Sequence, residues 1–193
     1  MTDPKRTMLS DGTISARRRL LRFGLVLTGA ALMAPIARAQ TATAPAAGDA
    51  LVFHEGAQAG REIRPDDLAI GAAPILAWPM RPGTGIIRRD DPDDQVLLLR
   101  LAVDQLGPAV LPWAAAGILA FSAICTHEGC NVTDWDVTRA LLRCPCHGSE
   151  FDPRAAGDVV FGPAVRSLPV LPLACDDGAL RVAAGFIDTV GAG

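Results

Sequence analysis

A chain of 193 residues, half of them apolar, can bury one sizeable hydrophobic core, with room for at most a small subdomain beside it. Its charge is unevenly spread. Seven of the 18 basic and two of the 21 acidic residues fall in residues 1–39, so the remainder holds 11 basic and 19 acidic groups, a net of −8 with His neutral. That balance argues against a nucleic-acid partner and suits a basic protein partner.

Residues 1–39 read as an export signal outside the fold. Arg17-Arg18-Arg19-Leu20-Leu21-Arg22 has the form of a twin-arginine motif, and an apolar run from Phe23 to Ala37 leads to the small-x-small site Ala37-Arg38-Ala39. The run is short and contains Gly24, Gly29 and Pro35, whereas a membrane-spanning helix needs about 20 predominantly apolar residues. Cleavage and release into the periplasm are expected, with membrane contact only if the segment is kept as an anchor.

Residues 40–50, rich in Ala, Thr and Pro, read as a linker, and the folded domain is expected from Leu51 to Gly193. Gly and Pro recur at short intervals beyond that point. Between them lie β-rich runs at Pro74–Trp78, Gln95–Val103, Gly117–Ala123, Ala140–Arg143, Asp158–Phe161 and Ala179–Ala183. No long segment after the signal shows helical periodicity, so the fold class is all-β, built of small antiparallel sheets or a barrel. Asp134-Trp135-Asp136 suggests a turn, Asp176-Asp177-Gly178 a hairpin turn, and Cys175 a buried thiol on the strand before it. His54 reads as an ordinary strand or surface histidine.

The chemistry is concentrated between Cys125 and Phe151. One loop reads Cys125-Thr126-His127-Glu128-Gly129-Cys130, and a second reads Cys144-Pro145-Cys146-His147-Gly148-Ser149-Glu150-Phe151. Four of the five cysteines and two of the three histidines fall here. Thiolates are soft donors and imidazoles intermediate ones, so a two-Cys, two-His set suits either zinc or an iron–sulfur centre. A second cysteine pair in the same loops, with Pro and Gly leaving backbone N–H groups free to face sulfur, favours the iron–sulfur centre.

At these loops the sequence resembles the Rieske iron–sulfur proteins, whose 2Fe–2S cluster has two cysteine and two histidine ligands. The resemblance implies that Cys125 and Cys144 hold the inner iron, that His127 and His147 hold the outer one, and that Cys130 and Cys146 form a disulfide between the loops. It implies a Rieske fold with the cluster-binding subdomain, about residues 121–165, at one tip. Gly148 and Ser149 match the high-potential branch, in which the serine hydrogen-bonds to sulfur. Phe151 stands where that branch has a tyrosine, and the chain contains no Tyr, so a potential below the family's upper end is implied. Gly162-Pro163-Ala164 match a Pro-rich segment that covers the cluster.

Several functions are compatible with such a domain. A Rieske oxygenase would need a further mononuclear iron with two more histidines, and only His54 remains. A Rieske subunit of a cytochrome bc complex would bring its tip into an apolar quinol pocket, against which the charged Glu128 argues. The layout most resembles the small subunit of arsenite oxidase. That resemblance implies no catalytic residue of the chain's own, a larger molybdenum-containing oxidase subunit as partner, and a soluble acceptor such as cytochrome c or a cupredoxin. A stand-alone periplasmic Rieske ferredoxin is a further alternative.

Overall fold

The computed structural model describes residues 44–192; the segment expected to be an export signal, with Arg17 and Arg18, lies outside the described residues. Among them, eleven strands pair antiparallel: β1 (Ala50–Phe53), β2 (Ile75–Arg81), β3 (Ile86–Ile87), β4 (Val96–Arg100), β5 (Ile118–Ser122), β6 (Asp134–Asp136), β7 (Leu141–Arg143), β8 (Glu150–Asp152), β9 (Asp158–Phe161), β10 (Leu173–Asp176) and β11 (Ala179–Val182). The helical turns among the described residues are three-residue 3₁₀ segments. The all-β expectation therefore holds.

The larger sheet runs β10-β11-β1-β2-β4-β5, with β3 paired to β2. Its ends are drawn together by the segment entering β10: Ser122 N–H donates to Pro169 O (2.8 Å) and Leu171 N–H to Ala120 O (2.9 Å). The smaller sheet, β6-β7-β8-β9, holds the second half of the ligand region.

Strands β4 and β5 join the two parts, and their sequences show how. Side chains alternate across a strand with period two. Leu97, Leu99, Leu119 and Phe121 therefore point into a core shared with Cys125, Cys144, Leu142 and Phe151. Val96, Leu98, Ile118 and Ala120 point the other way, into a second core with Leu51, Leu171 and Leu180. Both faces are covered, so Val96-Leu97-Leu98-Leu99 and Ile118-Leu119-Ala120-Phe121 are continuous apolar runs.

Three expectations need correction. The fold starts before Leu51: Ala50 opposes Met80 and Arg181, and the buried Asp49 carboxylate accepts from the buried Arg88 Nε at 2.7 Å. Asp134-Trp135-Asp136 is a strand, because Trp135 packs on the cluster-side core while the acids flank it; the turn comes next, where Asp136 Oδ1 accepts the N–H groups of Thr138 and Arg139. Cys175 lies on a strand as expected but is exposed, since only Leu173 of β10 is buried before the hairpin leaves the core. The hairpin turn stands as read, with Asp177 and Gly178 both at positive φ.

Candidate metal centre

The two loops are built on one plan. In the first, Cys125 N–H donates to Cys130 O (2.8 Å) and Gly129 N–H donates to Cys125 O (2.9 Å). In the second, Cys144 N–H donates to Ser149 O (2.9 Å) and Gly148 N–H donates to Cys144 O (3.0 Å). Each loop thus turns back five residues after its first cysteine. Gly129 and Gly148 take φ of +75° and +72° with open space around them, so the backbone conformation itself calls for glycine.

This folding separates the donors by softness. Cys125 and Cys144 are 1% and 2% exposed within the apolar core. Burial pushes the Cys125 thiol up and the neighbouring Cys144 thiol adds to that, while the N–H groups of His127 and Glu128 act in the opposite sense. His127 and His147 lie toward solvent, with ring centroids 4.9 Å apart and planes nearly perpendicular. One ring nitrogen of each and a Glu128 carboxylate oxygen lie within 4.8 Å of one another. The Cys130–Cys146 disulfide staples the loops, and its sulfurs lie within 4.8 Å of Cys144 Sγ.

One atom tests whether a metal group belongs here. His127 Nδ1 is buried and has no hydrogen-bond partner. An orphaned buried polar nitrogen is costly in a folded protein, and a metal bond is one way to satisfy it. Together with two inward thiols and a second outward imidazole, the donor set fits a 2Fe–2S cluster.

The surroundings close over the second loop. An added Cβ at Gly162 (φ +94°) would stand 2.5 Å from Ser149 Cα, so only glycine lets this segment approach. Ala164 N–H donates to Ser149 Oγ at 3.1 Å, a bond that leaves the serine's own proton unused. Ser149 and Phe151 are fully buried, Phe151 opposite Leu142 in the core, and Pro163 is exposed beside them.

Other supports are not evident from the motif. Thr126 Oγ1 donates to Arg166 O (2.6 Å), and Asn131 Nδ2 donates to Gln95 Oε1 (2.6 Å), tying the first loop to distant parts of the chain. Arg139 grips Glu150 with two hydrogen bonds (2.8 and 2.6 Å) and Asp136 with a third (2.7 Å), holding both carboxyls below the usual range. Glu150 directly follows the second loop, and its distance from Asp136 and Arg139 in the chain hid the link.

The relationships of the chain agree with this geometry. A family model described as the Rieske [2Fe-2S] domain matches residues 93–172, which include both loops and the covering segment. The chain is 34% identical over 138 residues to the cytochrome bc1 complex Rieske iron-sulfur subunit of Streptomyces lividans, covering 67% of this chain and 78% of that one. It is also 34% identical to the corresponding subunit of Streptomyces coelicolor, over 67% of this chain, but spans only 37% of that protein's length. A putative respiratory nitrate reductase subunit Rieske of Haloferax mediterranei is 32% identical over 97% of this chain and 86% of that protein. With the paired Cys–His loops, the staple and the cover in place, the chain belongs to the Rieske iron–sulfur family, whose members carry electrons on a 2Fe–2S cluster.

Proposed function

We propose that this chain relays single electrons for a larger oxidoreductase subunit, and that its histidine tip meets that partner, or a soluble acceptor, across a polar surface. The observation that carries this reading is Glu128, whose carboxylate is 62% exposed and lies 3.8 Å from His147 Nδ1 at the tip. Moving an unpaired carboxylate into an apolar pocket costs more than the roughly 2–7 kcal/mol of an uncharged polar group. A partner surface with Arg or Lys avoids that cost.

Cys125 and Cys144 would hold the inner iron and His127 and His147 the outer one. When bound, such a cluster supplies one-electron redox chemistry. The buried cysteine side keeps water from the sulfurs, and the closed backbone turns of both loops fix the donors in place. The imidazoles are the part of the site that a partner can reach, His147 being 47% exposed.

The partner we favour is a molybdenum-containing oxidase large subunit of the arsenite oxidase kind, with cytochrome c or a cupredoxin as acceptor, in the periplasm after twin-arginine export. The Haloferax relative supports a place outside bc complexes, since it is named as a subunit of a reductase and matches this chain along nearly its whole length. A second reading, the Rieske subunit of a cytochrome bc complex, is favoured by the Streptomyces relatives.

Purification from the native membrane and soluble fractions separates the two. Recovery with a large molybdenum-bearing subunit is expected; recovery with a cytochrome b subunit and no molybdenum would overturn the first reading. In parallel, Glu128→Leu is expected to load its cluster normally, to slow transfer to a basic acceptor at low salt, and to match wild type at high salt. A gain in quinol oxidation by Glu128→Leu would support the second reading instead.

A further inference from the structure

The segment that follows β9 touches both ligand loops, by different means. It meets the second loop through Gly162 and through the Ala164 N–H bond to Ser149 Oγ. It meets the first loop where the Thr126 hydroxyl donates to the Arg166 carbonyl at 2.6 Å. Thr126 sits between Cys125 and His127 and is only 2% exposed.

The Arg166 carbonyl is itself held from outside the loops. Its guanidinium donates from Nη1 to Thr189 O (3.0 Å) and from Nη2 to Gly191 O (2.7 Å). The same C-terminal stretch is anchored one step earlier, where Ile187 N–H donates to Val170 O at 2.8 Å. A planar guanidinium presents two donors in a fixed fork, so two carbonyls define its position; an ammonium on a flexible stem cannot do this.

We propose that residues 187–192 form a latch and that Arg166 is the positioning residue through which it acts. The latch fixes the Arg166 backbone where the Thr126 hydroxyl takes hold, and so keeps the loop bearing Cys125 and His127 in its ligand-ready shape. The second loop has its own fastening through Ser149. The latch therefore controls one loop and leaves the other alone. It rests on the ligand set proposed above only for its effect on the cluster.

The test uses the full-length, cluster-loaded protein and four variants: Arg166→Ala, Arg166→Lys, Thr126→Val, and the Arg166→Ala/Thr126→Val double. Two quantities are read: amide hydrogen exchange by segment, and the rate at which visible absorbance is lost to an iron chelator. Arg166→Ala is expected to speed exchange at residues 125–130 by at least about tenfold, because both hydrogen bonds of a charged donor are lost. Bleaching should accelerate with it. Exchange at residues 144–149 and in β4 and β5 should be unchanged, Arg166→Lys should recover little, and the double variant should behave like Thr126→Val alone. Unchanged exchange at residues 125–130, equal loosening of both loops, or additive effects in the double variant would overturn the latch. Should Arg166→Ala not fold, Thr126→Val must by itself loosen the first loop and spare the second. A Cys125→Ser protein that keeps its cluster would refute the ligand assignment, and the exchange pattern still decides the latch.

Discussion

Replacing both Cys130 and Cys146 by Ala removes the staple without leaving a stray thiol beside Cys144, whose sulfur lies within 4.8 Å of theirs. The two cysteines are 16 residues apart. In the chain-entropy model a closed loop of that length restricts the unfolded chain by about 3 kcal/mol at 25 °C. For a two-state domain with a urea slope of about 1–3 kcal/mol/M, the midpoint should fall by roughly 1–3 M. If the cluster escapes by opening of the same loops, bleaching by a chelator should accelerate by up to about a hundredfold, the kinetic equivalent of that energy. Iron content immediately after assembly should be unchanged, because neither alanine replaces a proposed ligand. Urea unfolding followed by circular dichroism, with iron-release rates measured in parallel, gives both quantities. A double variant with the wild-type midpoint and a release rate within about threefold of wild type would refute the entropic account.

Three other outcomes are expected. Asp49→Ala removes the two hydrogen bonds that the buried Asp49 carboxylate accepts from Arg88 (2.7 and 3.3 Å); it should cost at least about 1.5–3 kcal/mol in denaturant unfolding, whereas Asp49→Asn, which keeps one acceptor oxygen, should cost less. Gly162→Ala forces a side chain into the left-handed region and to within 2.5 Å of Ser149 Cα, which should cost about 2–4 kcal/mol in thermal unfolding and disturb the second loop first. Acid should weaken the smaller sheet: Asp136 and Glu150 are held low by Arg139, so their contribution is full above the ordinary carboxylate pKa and is lost as pH falls through the depressed folded values. Unfolding midpoints measured from pH 6 to pH 3 should fall more steeply for wild type than for Arg139→Gln, and parallel curves would contradict the assignment.

The site was legible in the sequence because its information is chemical and local. Cys-x-His and Cys-x-x-His spacing, with glycine closing each loop, needs no knowledge of the rest of the chain, and the structure sets the His127 and His147 rings 4.9 Å apart and joins Cys130 to Cys146. Strands with strong apolar runs, such as Val96–Arg100 and Ile118–Ser122, were legible for a similar reason. What escaped depends on partners far away. Asp134-Trp135-Asp136 has turn-like acids, and only the core beneath Trp135 makes it a strand. Cys175 alternates like a buried residue, yet it is exposed although Leu180 opposite it is buried. The Asp49–Arg88, Gln95–Asn131 and Thr126–Arg166 links span 39, 36 and 40 residues, and nothing in either partner's neighbourhood announces the other.

Strands β4 and β5 form a wall between two cores, and each apolar residue along them belongs to one side or the other. A wall of this kind cannot be removed from one room without opening the other. The ligand region, cut out at residues 121–165, would keep its loops and its staple but lose Leu97, Leu99 and Leu119, leaving the apolar faces of Cys125, Cys144 and Phe151 without a floor. The iron-binding part is thus not a portable module. Global unfolding is expected to take both cores in one cooperative transition, observed alike from a tryptophan, a strand amide or the visible colour.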